Sequence, residues 1–364
     1  MLRDLRKDVA PADDRTEAYT YDNLYRLTGA DYSNGDFYHY AYDAVGNRLS
    51  AATANETTTY AYDPAGRLSA TTLPNGVVTV YQYDATGRLT GLMHTKDAML
   101  LSSYHYVLDG VGNRTQVTET VSGVTRVIAY TYDDLYRLTA ADYSTGENYA
   151  YVYDAVGNRE VMTNATGIYT YTYDAANRLT SIEHPASSFQ NYTWDDRGNL
   201  TYDGVYTYTY NAAGRMVQAE SVTVTLVYTY NADGLRVAQN VDGTVTSFSW
   251  DWATGVPELL SDGESLYLIG YDTLGWQNGA DWTFVLPDAL GSVRQETNAA
   301  GAVTAVREWS PYGEELGGAQ AGLGYTGEWY DANVGLTYLR ARWYDGTMGR
   351  FTSQDLWKGD KSRP

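Results

Sequence analysis

Cysteine and histidine, which often serve as nucleophiles or metal ligands, are absent or rare in this chain of 364 residues. Cysteine is absent, so neither a disulfide framework nor a thiolate metal site can form. The four histidines stand far apart and belong to no H-E-x-x-H motif: His39, His94, His105 and His184. Zinc sites that use imidazole draw their ligands from characteristic close spacings. The sequence therefore predicts no metal site.

One glycine motif fits a nucleotide-binding pattern by its letters alone. Residues 322–327, Gly-Leu-Gly-Tyr-Thr-Gly, match G-x-G-x-x-G. That pattern binds a pyrophosphate only between a strand and a helix, because the helix N-terminus presents amide groups to the phosphates. Here β-forming and aromatic residues follow, and the sequence contains neither G-x-x-x-x-G-K-[ST] nor G-x-S-x-G. We therefore expect no cofactor.

Tyrosine and aspartate are the polar residues that recur with a regular spacing. The chain has 37 Tyr against 5 Phe, so nearly every ring carries a hydroxyl that needs a partner or water. A Tyr-Asp pair, or a variant of it, returns mostly every 20 or 21 residues. The aromatic member stands at Tyr21, Tyr42, Tyr62, Tyr83, Tyr132, Tyr153, Tyr173, Trp194, Tyr210, Tyr230, Trp250 and Tyr271. In a degenerate copy at residues 106–115, Leu108 takes the tyrosine position.

Each repeat predicts a strand, a tight turn and a return strand. Tyr40-Ala41-Tyr42 alternates as a strand should, and Asp43 can accept backbone N–H bonds at the start of a type I turn. Gly46 can supply the residue with positive φ that closes a hairpin with a bulge. Asn177 replaces this glycine in one copy, and asparagine is the common non-glycine residue that tolerates positive φ. We therefore predict positive φ at this position.

The opposite end of the repeat carries turn signals of its own: Asn34-Gly35, Asn75-Gly76, Gly146, Asp203-Gly204 and Asp242-Gly243. About 13 units then form about 26 strands in one antiparallel meander, roughly 125 Å long at about 4.8 Å per strand. Twist prevents so long a sheet from staying flat. We predict an all-β fold in which the meander curls into a partial hollow shell or spiral, and the tyrosine excess suits a wall wet on both faces.

A longer period lies over the short one. The stretch AYDAVGNRLS at residues 41–50 returns as VYDAVGNREV at residues 152–161. Tyr21 and Tyr132 are 111 residues apart, as are Tyr83 and Trp194. This constant shift indicates that a block of several repeats was duplicated.

Net charge and hydropathy exclude two classes of partner. Asp and Glu number 45 against 25 Lys and Arg, a formal charge of −20 that repels nucleic-acid backbones and anionic membranes. Because of this charge, we expect no nucleic-acid partner. No apolar run approaches the roughly 20 residues that span a bilayer, so we also expect no direct membrane insertion. The first residues lack the apolar region of a signal peptide, and the export route is not visible in the sequence.

The unit Y-x-Y-D-x-x-G-R-L-T closely resembles the YD repeat of the Rhs family, and this resemblance covers nearly the whole chain. Residues 287–314 and 325–355 resemble the Rhs-associated core, most specifically in the runs LRARWYD and GRF. Relatives include C components of insecticidal toxin complexes, wall-associated bacterial proteins and teneurins. The resemblance implies a hollow β-shell with the core as a C-terminal plug. It divides the chain into an N-terminal lead-in (1–18), a YD-repeat strip (19–285) and the core (286–364).

In toxin-bearing relatives, this core is an intramolecular aspartic protease that releases a toxin sealed in the shell. The resemblance places Asp355 at one catalytic aspartate and Arg342 at the arginine that supports it. Such a site needs two carboxylates that share a proton and activate water. The family's second aspartate follows in an Asp-Pro-x-Gly segment, which we expect beyond Pro364. Gln354 and Leu356 flank Asp355 here, where the family usually has proline.

Two functions follow from these observations. The leading hypothesis is a structural, encapsulating β-shell of an Rhs-type polymorphic toxin with part of a self-cleavage site; the chain alone would be at most an incomplete autoprotease. Its expected partners are a C-terminal toxin cargo beyond Pro364 and a shell-completing or secretion-system protein, and its expected location is secreted or on the bacterial cell surface. The alternative is an extracellular adhesion or carbohydrate-binding module, which a row of exposed tyrosine rings would favour.

Overall fold

Runs rich in Tyr, Thr and Val form strands throughout the computed structural model, which describes residues 17–33, 37–251, 256–318 and 320–355. The first seventeen strands belong to one sheet, in which successive strands pair antiparallel. They are β1 (Glu17–Tyr21), β2 (Leu27–Tyr32), β3 (Phe37–Tyr42), β4 (Arg48–Ala52), β5 (Thr57–Tyr62), β6 (Leu68–Thr72), β7 (Val77–Tyr83), β8 (Leu89–Lys96), β9 (Met99–Leu108), β10 (Arg114–Val121), β11 (Val124–Tyr132), β12 (Leu138–Tyr143), β13 (Asn148–Tyr153), β14 (Arg159–Asn164), β15 (Gly167–Tyr173), β16 (Leu179–His184) and β17 (Ser188–Asn191).

Two sheets of seven strands follow. The second sheet contains β18 (Thr193–Trp194), β19 (Leu200–Tyr202), β20 (Thr207–Tyr210), β21 (Met216–Glu220), β22 (Thr225–Tyr230), β23 (Arg236–Val241) and β24 (Thr244–Ser247). The third contains β25 (Ser249–Asp251), β26 (Glu258–Ser261), β27 (Ser265–Ile269), β28 (Thr273–Asn278), β29 (Asp281–Pro287), β30 (Val293–Asn298) and β31 (Val303–Val306).

Two small sheets complete the described chain. The fourth pairs β32 (Glu308–Trp309) with β33 (Glu315–Leu316). The fifth contains β34 (Gly322–Leu323), β35 (Trp329–Asp331), β36 (Leu336–Leu339), β37 (Arg342–Asp345) and β38 (Arg350–Phe351). A single turn of 3-10 helix, Tyr325–Gly327, is the helical segment among the residues that the structure describes. The predicted all-β fold with a long antiparallel meander is confirmed.

One aspartate organises most turns at the Tyr-Asp end of a hairpin. Asp63 Oδ1 accepts the backbone N–H groups of Ala65 (2.9 Å) and Arg67 (3.0 Å), while Asp63 Oδ2 accepts the Arg67 guanidinium Nε–H at 2.7 Å. The side-chain bond from Arg67, together with the backbone bonds, lowers the pKa of Asp63. The carboxylate therefore satisfies amide groups that the strand ladder leaves without partners.

The predicted bulge and backbone conformation are both present. The strand register shifts at the repeat tyrosine, as between Ala61 and Tyr62, and Gly66 has a φ of 78°. Asn177, at the same position of its own turn, has a φ of 60°, which confirms the prediction made from its residue type. Tyr25 and Tyr136 also adopt positive φ at this position, which the sequence did not suggest. The predicted Asn34-Gly35 turn lies outside the described residues.

A bracket of two side chains ties an ordinary turn to the next. The Tyr83 hydroxyl donates to the Leu68 carbonyl at 2.8 Å, and the Arg67 guanidinium lies 4.7 Å from the Tyr83 ring centre. The guanidinium of Arg67 also donates to the Asp84 carbonyl at 3.3 Å. Equivalent hydroxyl-to-carbonyl bonds are made by Tyr42, Tyr62, Tyr153, Tyr173 and Tyr230.

Trp194 explains what the repeat requires of its aromatic residue. Its indole N–H donates to the Leu179 carbonyl at 2.6 Å, the same bond that a tyrosine hydroxyl makes elsewhere. Phenylalanine has no donor, so a Phe at this position would leave the carbonyl without this bond. The excess of tyrosine over phenylalanine therefore reflects a hydrogen bond repeated along the strip.

The chain forms two compact units, each drawn from two stretches of sequence. The first unit combines residues up to 126 with residues 246–307, and the second combines residues 127–245 with residues from 308 onward. In the first unit, buried repeat residues such as Tyr38, Tyr40 and Tyr60 pack with Leu268 and Phe284 of the third sheet. One face of the strip is therefore dry in this unit, and the expectation of a wall wet on both faces is wrong there, because aromatic rings gain more by packing than by hydration.

Buried polar groups also fasten the third sheet to the strip of the first unit. Arg294 pairs with both carboxylate oxygens of Glu119, at 3.0 and 3.1 Å, and Arg126 contacts the same carboxylate at 2.6 Å. His94 is fully buried: its Nδ1 lies 2.9 Å from Thr79 Oγ1 and its Nε2 lies 2.8 Å from the Pro287 carbonyl. The carbonyl can only accept, so Nε2 carries the proton in the neutral ring.

The His94 site predicts a pH dependence of stability. Burial lowers the pKa of His94 from 6.5 to about 4. Between these values the unfolded chain binds more protons than the folded chain, so this contribution is present above about pH 6.5 and is lost as the pH falls toward 4. The loss should reach about 3 kcal/mol. Urea unfolding at pH 7 and pH 4.5 should show a smaller loss in His94→Gln than in the unmodified chain, whereas the exposed His105→Gln should behave like the unmodified chain.

The bracket predicts a stability effect of the tyrosine hydroxyl. Tyr83→Phe removes the donor to the Leu68 carbonyl and should lower the free energy of unfolding by about 1 kcal/mol. Tyr25→Phe is the control, because Tyr25 is 89% exposed. Equal urea midpoints for the two variants would contradict the role given to the hydroxyl.

Candidate functional site

The structure brings the two sequence-predicted site residues together in the second unit. Arg342 Nη2 lies 2.9 Å from Asp355 Oδ2. The Arg342 guanidinium also stacks on the Phe351 ring, 3.8 Å from its centre. The Asp355 side chain is 51% exposed.

A tight hairpin positions Arg342. Strands β36 and β37 pair from Thr337↔Tyr344 to Leu339↔Arg342, which leaves a two-residue turn, and Arg340 in that turn has a φ of 57°. The register places Arg342 at the first residue of β37. Strand β38 then pairs on the other side of β37, with Tyr344 opposite Phe351.

Asp355 is positioned by backbone pairing of the residues that precede it. The Thr352 N–H donates to the Trp343 carbonyl at 2.9 Å, and the Thr352 carbonyl accepts the Leu200 N–H at 2.8 Å. The Gln354 N–H donates to the Gly198 carbonyl at 3.2 Å. The segment before Asp355 therefore runs along a repeat turn of the same unit, and the repeat controls where the carboxylate lies.

A buried aspartate shapes the turn between β37 and β38. Asp345 Oδ1 accepts the Thr347 N–H at 2.8 Å, the Thr347 hydroxyl at 2.6 Å and the Met348 N–H at 3.1 Å. Burial raises the pKa of Asp345. These bonds match those that the repeat aspartates make, so the core uses the same turn chemistry as the strip.

Arg159 attaches this turn to the strip. The guanidinium donates from Nη2 to the Thr347 carbonyl at 2.8 Å and to the Met348 carbonyl at 2.9 Å. It is almost fully buried and lies 4.5 Å from the Tyr171 ring centre and 5.0 Å from that of Tyr312. The side chain thus bonds two carbonyls that face it from a later part of the sequence.

A second buried arginine supports the residue next to Arg342. Arg236 is fully buried, and its guanidinium lies 4.8 Å from the Tyr338 ring centre and 5.1 Å from that of Trp343. Its Nη1 contacts Gln239 Oε1 at 2.9 Å and Asp331 Oδ2 at 3.6 Å. Arg236 thereby holds Trp343, the residue that follows Arg342, against the repeat.

Sequence reasoning missed these docking arginines, although the repeat carries a signal for them. Ordinary turns have Gly-Arg, and the arginine four residues after the aspartate pairs with it. In Gly157-Asn158-Arg159, Asn158 takes that place with a 2.7 Å bond to Asp154 Oδ2, and the arginine moves one position along the strand. In the first unit, Arg48 follows the same Gly-Asn pattern and donates to the Gly270 carbonyl at 2.6 Å. Gly-Asn-Arg therefore marks both repeats of the duplicated stretch as docking sites.

The remaining sequence candidates have other surroundings. Residues 322–327 contain the short strand β34 and the 3-10 turn, so they lack the strand-and-helix context of a nucleotide loop. His39 lies 3.1 Å from Asp31, and His184 lies 3.2 Å from Gln190. Within the four described ranges, no three His, Asp or Glu side chains are grouped to hold a metal ion. No helix in the same residues is long and apolar enough to cross a membrane.

The Arg342–Asp355 pair can do one half of an acid–base reaction. An ionised carboxylate held by a guanidinium can accept a proton from water. Peptide hydrolysis by an aspartic mechanism needs a second carboxylate, so that one is protonated while the other is ionised. The catalytic assignment of Asp355 and Arg342, which rests on the sequence resemblance, stays a prediction.

Arg159 predicts how strongly the site depends on the strip. Arg159→Ala leaves two carbonyls without their donor and should destabilise the second unit by about 3 kcal/mol. Hydrogen exchange should accelerate at residues 347–354. Arg178→Ala is the matched control, because Arg178 pairs with Asp174 at the half-exposed surface and should cost about 1 kcal/mol. Unchanged exchange at residues 347–354 in Arg159→Ala would contradict this attachment.

Comparisons with known proteins agree with this architecture. The Teneurin YD-shell family matches residues 104–362, and the RHS repeat matches residues 42–78 and 62–98. A match over most of the chain to a family of YD shells confirms the predicted fold class. A comparison with curated protein sequences gave no match.

Solved structures with the same fold come from toxin complexes. The Photorhabdus luminescens Tc holotoxin pore with a substitution in TccC3 is 20% identical, with a TM-score of 0.68 over 94% of this chain and 20% of that one. TcdB2–TccC3 without its hypervariable C-terminal region is 20% identical, with a TM-score of 0.67 over 95% of this chain and 20% of that one. The chain thus spans about a fifth of the length of these solved chains. At such identities the likeness establishes the fold.

Proposed function

We propose that this chain, which belongs to the Teneurin YD-shell family, forms part of the wall of an encapsulating β-shell that holds a polypeptide cargo. The bracket between successive turns is the observation that carries this proposal. It joins residues only 14 to 21 positions apart, such as Arg48 with Tyr62 and Arg88 with Asp109. A wall built from such local bonds can be extended unit by unit, as in other repeat proteins.

The cargo in this proposal follows the core. Residues 286–364 are the core, and a toxin domain continues from it beyond Pro364. The solved TcdB2–TccC3 relatives support this arrangement, because one of them was solved without a hypervariable C-terminal region. The net charge of −20 is compatible with a basic cargo, since opposite charges lower the free energy of confinement.

Asp355 and Arg342 have the catalytic and supporting roles in release of that cargo. Asp355 accepts a proton from the attacking water, and Arg342 orients the Asp355 carboxylate through the 2.9 Å contact. A second aspartate, contributed by the segment that precedes the cleaved bond, completes the acid–base pair. The chain itself therefore carries one part of an autoprotease.

The burial of the repeat tyrosines favours the shell over the adhesion module. Tyr40 and Tyr60 are buried, and the hydroxyls of Tyr62 and Tyr83 are used in brackets within the strip. Sugar binding by stacking needs accessible ring faces. Exposed rings such as Tyr25 belong to individual turns, so the described residues offer no row of repeat tyrosines to a carbohydrate.

The proposal includes partners and a location. Because the solved relatives are about five times longer than this chain, further shell segments or a shell-completing protein close the container. The relatives are parts of toxin complexes, and this supports a secreted or bacterial cell-surface location.

Self-cleavage of the longer natural protein tests the catalytic role. Asp355→Asn should abolish release of the C-terminal fragment, seen by mass spectrometry, because the variant amide cannot accept the proton. Stability should change by less than about 1 kcal/mol, since the ion pair is exposed. Asp281→Asn, at an exposed strand position, is the control and should cleave at the unmodified rate. Undiminished cleavage by Asp355→Asn would refute the assignment.

A further inference from the structure

One turn of the second unit departs from the repeat at its first residue. Asn211 follows Tyr210 where most turns have aspartate, and Arg215 stands at the usual place four residues later. Asn211 Oδ1 accepts the backbone N–H groups of Ala213 at 3.0 Å and Arg215 at 3.1 Å. The amide oxygen thus preserves the backbone geometry of the turn.

The amide nitrogen does not preserve the side-chain pair. In an ordinary turn, Asp63 Oδ2 accepts the Arg67 Nε–H, but the second polar atom of asparagine is an NH2 group, which only donates. Two donors cannot bond each other, and the Arg215 guanidinium has neither a carboxylate nor a carbonyl partner among the residues that the structure describes. The guanidinium lies against Gly234, in space that a side chain at that position would fill.

Arg215 lines a cleft whose lining also includes Arg342, the ion-pair partner of Asp355. Tyr230, Tyr338, Trp343 and Ser353 form part of the cleft, and three arginines stand on it: Arg215, Arg340 and Arg342. Arg340 pairs with Glu328 at 2.6 Å and Arg342 with Asp355 at 2.9 Å. Arg215 is therefore the cleft arginine whose charge no described carboxylate compensates, in a chain whose net charge is −20.

We propose that Arg215 is a carboxylate-binding residue beside the cleavage core, where it holds an acidic side chain of the peptide segment presented to Asp355. This inference rests on the proposed self-cleavage. A guanidinium binds a carboxylate through two parallel N–H···O bonds, which fixes the orientation as well as the position of the bound group. Arg215 is a positioning residue in this scheme: it aligns the segment, while Asp355 acts on the water.

The longer natural protein gives the first test. Arg215→Gln should slow self-cleavage by about tenfold or more, because the segment loses its charged anchor. Asn211→Asp should slow it similarly although Arg215 is kept, because the new carboxylate re-forms the ordinary pair of the repeat and withdraws the guanidinium from the cleft. Cleavage at the unmodified rate in both variants would overturn the inference.

The neighbouring turn offers a matched control. Asn231 also replaces aspartate, but Leu235 stands four residues later, so Asn231→Asp has no arginine to capture and should leave the rate unchanged. Asp355→Asn separates the two hypotheses. If it abolishes cleavage while Arg215→Gln and Asn211→Asp do not slow it, the proposed function stands and the role of Arg215 falls.

Binding to the chain of residues 1–364 gives a readout that does not require cleavage. With arginine 15N-labelled at Nε, millimolar N-acetyl-aspartyl amide should shift the Arg215 resonance, which the Arg215→Lys variant identifies by its loss. N-acetyl-asparaginyl amide, of the same shape without the charge, should leave it in place. Asn211→Asp should abolish the response to the aspartyl probe. An equal response to both probes, or none to the aspartyl probe, would refute carboxylate binding.

Discussion

The fold depends on one repeated interaction, in which an aspartate carboxylate accepts the backbone amide groups of the turn that follows a strand. A strand ladder leaves those amides without partners, and one Oδ1 atom satisfies two of them in turns such as that of Asp63. The second oxygen holds an arginine, and that arginine lies on the aromatic ring of the next turn. Turn geometry and contact between repeats therefore come from the same side chain, and so similar hairpins can follow each other along most of the chain.

Small changes at one position of this turn give different repeats different roles. When asparagine takes the place of the paired arginine, the arginine moves by one residue, and adjacent residues of a strand point to opposite faces. Arg48 and Arg159 are therefore directed at later segments of their own units, Gly270 in one case and Thr347 with Met348 in the other. When asparagine instead replaces the aspartate, as at Asn211, the turn survives and the arginine loses its partner.

Residues of the YD-repeat strip hold the proposed cleavage core in position. Its strands β36 to β38 are short, and short strands hold side chains poorly without support. Buried arginines of the repeats supply that support at Trp343 and at the turn after Asp345, and Leu200 and Gly198 guide the backbone toward Asp355. A repeat wall and a site with defined geometry are therefore parts of one hydrogen-bonded system in the second unit.

The local part of this structure was predictable from the sequence. The hairpins, the bulge and the positive φ of Asn177 depend on bonds within a repeat. Arg342 and Asp355, which lie 2.9 Å apart, were named together from a motif, and their catalytic role stays a prediction. The sequence did not predict which face of the strip packs against later segments of the chain. Contacts such as Arg159 with Thr347 or His94 with Pro287 join residues nearly 200 positions apart, and no spacing in the sequence records them. The amino-acid sequence by itself determined the repeating hairpin, because its stabilising bonds close over at most about 21 residues. Only the tertiary structure decided which face each strip buries and which arginine meets which carbonyl, because burial and charge pairing depend on chain segments that come together only on folding.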